Sequence, residues 1–87
     1  MKIKVKITRD ENLEYYNNQT EIEIDIEEYL RGVVPAEVGN AHPEAAKAQA
    51  VAARTFALRK FKSQGYITDK SSVDQAFRSS RFSSSYQ

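Results

Sequence analysis

The stretch Pro43-Glu44-Ala45-Ala46-Lys47-Ala48-Gln49-Ala50-Val51-Ala52-Ala53-Arg54-Thr55-Phe56-Ala57-Leu58-Arg59-Lys60-Phe61-Lys62 decides the fold. It reads as a single helix, roughly 30 Å long at the standard rise. Alanine, lysine, leucine and arginine lose little on becoming helical, and Pro43 suits a first helical position. His42 or Asn40 stands where a cap belongs, and Gly65 beyond the end supplies a left-handed stop. On a helical wheel Ala45, Ala48, Ala52 and Phe56 form one apolar stripe. Ala46, Ala50, Ala53, Ala57 and Phe61 form a second, and Val51 with Leu58 a third. Apolar residues around most of the circumference predict burial around most of it, so the helix is expected to be the central post of the domain. Gln49 falls among Ala45, Ala52 and Phe56, where a buried amide needs partners. On pattern alone, Gln49 and Arg54 either tie the post to neighbouring loops or belong to a site.

Outward from the post, the N-terminal third alternates with period two. Lys2-Ile3-Lys4-Val5-Lys6-Ile7 and Glu21-Ile22-Glu23-Ile24-Asp25-Ile26 each put three apolar side chains on one face. Paired antiparallel, they set a lysine row against an acidic row, each cross-strand pair contributing about 0.2–1 kcal/mol. Between them Asn12 and Asn17-Asn18 are turn candidates, and Leu13, Tyr15 and Tyr16 suggest a further short strand.

Asp25 and Glu28 fit a capping box. Ile26, Tyr29, Leu30, Val33 and Val34 then trace one face of a short amphipathic helix, with Glu27 and Arg31 paired outside. Pro35 is expected to bend or end it. Continuing the stripe past Pro35 puts Glu37 on the apolar side, between Val34 and Val38. A carboxylate there has its charged form disfavoured, which suits a general acid near neutral pH; if the chain turns at Pro35, Glu37 is an ordinary exposed residue. Beyond the long helix, Tyr66 to Asp69 suggests a short extended piece, and Val73 to Arg78 is strand-like or irregular. Residues 79–87 are serine-rich, with Phe82 and Tyr86 isolated among them, and read as a disordered tail or as the start of further structure.

Composition bounds the function. Eighty-seven residues suit a single small domain, spanning 1–87, of α+β class: a small antiparallel sheet packed against a short helix and one long buried alanine-rich helix. A net charge of +1 gives no field that would draw nucleic acid or an acidic membrane. There is no cysteine and one histidine, so neither a disulfide nor a zinc centre is expected, and no cofactor. No apolar run is long enough to span a bilayer, and no signal segment is visible at the N-terminus.

The run Glu28-Tyr29-Leu30-Arg31-Gly32-Val33-Val34-Pro35-Ala36-Glu37, followed by Ala46-Lys47-Ala48-Gln49-Ala50-Val51-Ala52-Ala53-Arg54-Thr55-Phe56-Ala57-Leu58, resembles the stage II sporulation protein D family. Asp74-Gln75-Ala76-Phe77-Arg78 is similar to a later element of the same family. The likeness covers about residues 20 to 78. It implies a lytic transglycosylase acting on the glycan strands of bacterial peptidoglycan, outside the cytoplasm. Glu37 corresponds to the family's catalytic glutamate, and Gln49, Arg54 and Gln75 are the implied substrate-binding positions. A lytic transglycosylase needs only one essential carboxylate, because the muramic acid's own C6 hydroxyl attacks C1 and closes a 1,6-anhydro ring; Asp74 remains a second candidate acid. Against the family's pattern, Pro35 replaces a small residue, Phe56 and Phe77 stand where tyrosines are frequent, Ser79 takes the place of a glycine, and the cysteine-histidine zinc site of some members is absent. The family's domain also continues past Gln87, so the chain reads as its N-terminal part, with any membrane contact supplied from outside it and the isolated piece weak or inactive.

Two other classes compete. One is a non-catalytic wall-binding or amidase-enhancing module that works beside other cell-wall hydrolases. The other is a helix-turn-helix DNA binder built from residues 26–38 and 43–62. Its recognition helix would have to present basic or amide groups early, but this one offers Glu44, one lysine, one glutamine and alanines. No nucleic-acid partner is expected.

Overall fold

The computed structural model of the protein describes residues 1–39, 42–70 and 73–82. Asn40, one of the two cap candidates, and residues 83–87 of the serine-rich stretch, Tyr86 included, lie outside them. The alternating segments form strands β1 (Lys2–Lys6) and β2 (Glu21–Asp25), paired antiparallel with Ile3 opposite Ile24 and Val5 opposite Ile22 on the buried face. On the other face Lys2, Lys4 and Lys6 stand opposite Asp25, Glu23 and Glu21, the two rows of opposite charge expected from the sequence. The sheet is mixed rather than wholly antiparallel. A two-residue strand β3 (Ile67–Thr68) joins the free edge of β1 in parallel, giving the order β2-β1-β3. A parallel neighbour requires a crossover, and the long helix supplies it.

The segment between β1 and β2 is not a further strand. It holds helix α1 (Asp10–Tyr15), with Asp10 and Glu11 in the first turn where acidic side chains favour the helix dipole. Asn12 is no turn residue: it lies inside α1 and is fully buried. Asn17 and Asn18 do make the turn, both with positive φ.

Helix α2 (Ile26–Val38) starts where the capping signal places it, with the Asp25 carboxylate accepting from Glu27 N at 3.0 Å. Pro35 does not end it; the helix runs on to Gly39, whose N–H donates to Pro35 O at 2.7 Å. Packing overrides the cost of the missing donor, since Tyr29, Leu30, Val33 and Val34 have no exposed surface and Pro35 is itself buried.

Helix α3 (Pro43–Gln64) is capped by His42, whose Nδ1 accepts from Glu44 N at 3.2 Å, and stops at Gly65 in the left-handed region (φ 82°). It is not buried around most of its circumference. Only Ala46, Ala50, Ala53 and Ala57 are buried, one stripe facing the core, with Leu58 and Phe61 at its margin. Ala45, Ala48, Val51 and Ala52 are exposed. Alanine is abundant here because it favours helix, and its abundance carries little information about burial. The central post is α2, enclosed by the sheet, by α3 and by the chain that follows β3.

That last segment, Val73 to Phe82, forms no sheet ladder and ends in a 3₁₀ turn at Ser79–Arg81. It crosses α2 as a strap. Phe77 is completely buried, stacked on Tyr29 with centroids 5.2 Å apart, and Phe82 meets Phe77 edge-on at 5.5 Å. Gly32 makes room for both. A Cβ at that position would lie 2.8 Å from Cε1 of each ring, closer than carbon atoms pack. Two polar groups, the buried Asn12 and the half-buried Glu11, anchor the strap to the N-terminal half. Asn12 Nδ2 donates to Phe77 O (2.7 Å) and Asp69 (2.9 Å), while its Oδ1 accepts from Ser79 N (2.8 Å). Glu11 takes Arg78 Nε at 2.8 Å and Ser80 N at 3.2 Å.

Asp69 has no exposed surface and accepts from Thr8 N, Thr8 Oγ1, Arg9 N (2.9 Å) and Asn12 Nδ2. Burial opposes its charge, yet these bonds outweigh burial and hold the carboxyl below the ordinary value of 3.8. A carboxyl lowered on folding stabilises the native state above the unfolded value, and that contribution is lost as pH falls through the folded one. Acid titration of the denaturation midpoint should therefore show a loss beginning below about pH 4, and Asp69→Asn should flatten that limb. The same variant should be less stable at neutral pH by about 1–3 kcal/mol for each buried donor it orphans. An unchanged acid limb in Asp69→Asn would place the acid sensitivity elsewhere.

The single buried stripe of α3 predicts a contrast between two leucine substitutions. Ala57→Leu should cost about 1–3 kcal/mol by overpacking. Ala48→Leu, on the exposed side, should change stability by no more than about 0.5 kcal/mol. Equal melting temperatures for the two would mean that α3 packs by no single stripe.

Candidate active-site cleft

A cleft of about 390 Å³ opens between the C-terminal end of α2, the N-terminal half of α3 and the start of the strap. Gln49, Ala52, Ala53 and Phe56 form the α3 wall, and Glu37, Asp74 and Gln75 complete the lining. The volume falls within the range of small-ligand sites, about 300–1,000 Å³. Three of the four residues singled out from the sequence, Glu37, Gln49 and Gln75, therefore come together although they lie far apart in the chain.

Glu37 sits one residue from the end of α2 and is exposed. Val34 and Val38 on either side of it pack in or against the core, but Glu37 itself stays on the exposed side of α2 and is not enclosed by them as the stripe suggested. Its Oε1 accepts from Ala76 N at 2.9 Å, so the strap fixes the carboxylate at the mouth of the cleft.

Gln75 is buried, and the NH2 of its amide is held by the protein: Nε2 donates to Tyr29 Oη at 3.0 Å and to Ala53 O at 3.4 Å. It joins α2, α3 and the strap beneath the cleft floor. Burial pushes the Tyr29 hydroxyl pKa well up; the bond from Gln75 pulls the other way, and the charges of Asp74 and Glu37 add to the rise. Tyr29 is thus a neutral, buried support.

Asp74 lines the cleft with a side chain that has no exposed surface. Its Oδ2 accepts from Thr68 N at 2.8 Å and Thr68 Oγ1 at 2.9 Å. Its Oδ1 lies 3.1 Å from Lys60 Nζ, an ionic contact whose angles are not those of a hydrogen bond, and accepts no hydrogen bond.

Arg54 is not part of the lining. Its guanidinium forks onto Glu27, Nε and Nη2 each donating at 2.9 Å. This pair lies at Glu27, ten residues before Glu37, about 15 Å away along α2 at the helical rise. An ion pair this exposed contributes on the order of 0–1 kcal/mol.

Phe56 forms the apolar wall, a role the wheel analysis did not assign to it. The signal was nonetheless present. The stripe Ala45, Ala52, Phe56 carries one amide, Gln49, and an apolar strip interrupted by a lone hydrogen-bonding group describes a ligand wall as well as a core. Among the described residues, no cluster of His, Cys, Asp and Glu is arranged to hold a metal ion, and no helix is long and apolar enough to cross a membrane.

No curated protein and no solved structure matches the chain. A family model described as stage II sporulation protein matches residues 5–87, which covers α2, α3 and the strap, the elements that line the cleft. The chain thus belongs to the stage II sporulation protein (SpoIID) family, a family of cell-wall-related sporulation domains.

Proposed function

We propose that this domain cleaves the glycan strands of peptidoglycan as a lytic transglycosylase, with Glu37 as its acid and base. The observation that carries this reading is the inequality of the cleft's two carboxylates. Glu37 is exposed at the mouth, whereas the Asp74 side chain has no exposed surface and faces Lys60. A hydrolase that retains or inverts configuration needs two carboxyl groups able to reach the sugar or a water beside it. One reachable carboxylate suits a reaction in which the substrate supplies its own nucleophile. Glu37 donates a proton to the glycosidic oxygen as the C1–O bond breaks, leaving the departing sugar with a hydroxyl. It then accepts the proton of the muramic acid C6 hydroxyl as that oxygen bonds to C1, closing the 1,6-anhydro ring and restoring the acid.

The walls fit a carbohydrate. The Phe56 ring presents an apolar face to the C–H side of a sugar, and the Gln49 amide offers both a donor and an acceptor to hydroxyl or acetamido groups. The bond from Ala76 N holds Glu37 in one orientation, which is how a positioned proton donor gains effective concentration. The partners on this reading are glycan strands outside the cytoplasm.

Glu37→Gln keeps an acceptor for Ala76 N and nearly the same volume, so the fold should survive. Release of 1,6-anhydro-muramic ends from peptide-free glycan should drop by at least about 10²-fold, the usual worth of general acid–base catalysis. Mass spectrometry of the products reads this directly. Equal release by parent and variant would remove Glu37 from the chemistry. Glycan binding with no release by either would favour a wall-binding module, in which Glu37 only anchors the strap.

A further inference from the structure

The start of the strap makes three attachments in three consecutive residues. Asp74 reaches β3 through Thr68 and α3 through Lys60; Gln75 bridges Tyr29 of α2 and Ala53 of α3; Ala76 N holds Glu37. Val73 N and Asp74 N both donate to Lys70 O just before them. Only the first attachment involves a full charge against a full charge, and its Lys60 is partly exposed while Asp74 is enclosed. The enclosed carboxylate carries two firm hydrogen bonds on one oxygen and none on the other.

We propose that Asp74 is a positioning residue for Glu37: its contacts with Thr68 and Lys60 set the register of the strap, and so the place at which Ala76 N presents the Glu37 carboxylate to the cleft. This rests on the reading of Glu37 as the acid and base. Asp74 does not act on the sugar itself, since neither oxygen reaches solvent where a substrate would lie. Its influence passes through two peptide units. The angle at which a two-residue span leaves Asp74 decides whether Ala76 N and Oε1 of Glu37 meet. A slip of one ångström in such a chain costs about 10²-fold in rate when it misaims the proton donor. The α3 wall that grips the substrate, Gln49 with Phe56, does not move in such a slip, so affinity is spared.

The test compares Asp74→Asn, Glu37→Gln and the parent protein on peptide-free glycan. Asparagine keeps an acceptor for Thr68 and removes the charge that faces Lys60. The expected result is a kcat about 10²-fold lower with KM within about twofold, the signature of a contact that matters in the transition state rather than in binding. The Ala76 amide proton resonance should also move in Asp74→Asn, a change that general loss of stability does not produce in a folded protein. A parental kcat with an unmoved Ala76 resonance, while Glu37→Gln is inactive, overturns the positioning role and leaves the catalytic reading intact. A fully active Glu37→Gln overturns the catalytic reading, and the positioning role with it. If Asp74→Asn does not fold, Lys60→Gln, altered at the exposed end of the same contact, is judged by the same two readouts.

Discussion

The close approach of Phe77 to the bare backbone of Gly32 is the contact on which the rest of the structure depends. A methyl group at position 32 would lie 2.8 Å from both the Phe77 and the Phe82 rings. With only hydrogen there, the strap lies directly on α2 and Arg78 N reaches Gly32 O at 3.0 Å. The strap belongs to no sheet, so its polar groups must find partners one by one. Asn12, Glu11 and Glu37 supply them, from α1 at one end and α2 at the other. The same arrangement that satisfies the strap helps build the cleft, because Asp74 and Gln75, just before Phe77, complete its lining. Packing and site are therefore one feature of this fold.

Much of the fold was legible in the sequence where a period repeats. The alternation in Lys2 to Ile7 and Glu21 to Ile26 gave both strands and their faces, and Ile26, Tyr29, Leu30, Val33 and Val34 gave the buried side of α2. Legibility failed where a local pattern competes with a distant partner. Leu13, Tyr15 and Tyr16 look β-prone, but Asn12 must reach Asp69, Phe77 and Ser79 at once, and a helix presents it that way. The alanines of α3 misled in the opposite sense. Their small side chains suit any position in a helix, so only four of them are buried.

The site was legible in its members and less so in their environment. Glu37 entered through its place beyond the α2 stripe and then through the resemblance, Gln75 through the resemblance, and Gln49 through its place in an apolar stripe. None of these signals says that Glu37 is exposed, that the Gln75 NH2 donates to Tyr29 and Ala53, or that Arg54 turns to Glu27. Those outcomes depend on contacts between residues 22 to 46 positions apart, and sequence periodicity has no access to them. The half-buried Lys60–Asp74 contact belongs to the same class. An acid fourteen residues after a lysine is unremarkable until α3 and the strap bring them within 3.1 Å.

On the proposed reading, the groove between Glu37 and the α3 wall receives a glycan. Amide chemical-shift mapping with peptide-free glycan oligomers tests it without requiring turnover. The saturating shifts should gather at Gln49, Phe56, Gln75 and Ala76, with Val51 on the exposed side of α3 and the charged face of β1 and β2 unaffected. Shifts centred on that charged face, or on Val51, would contradict it.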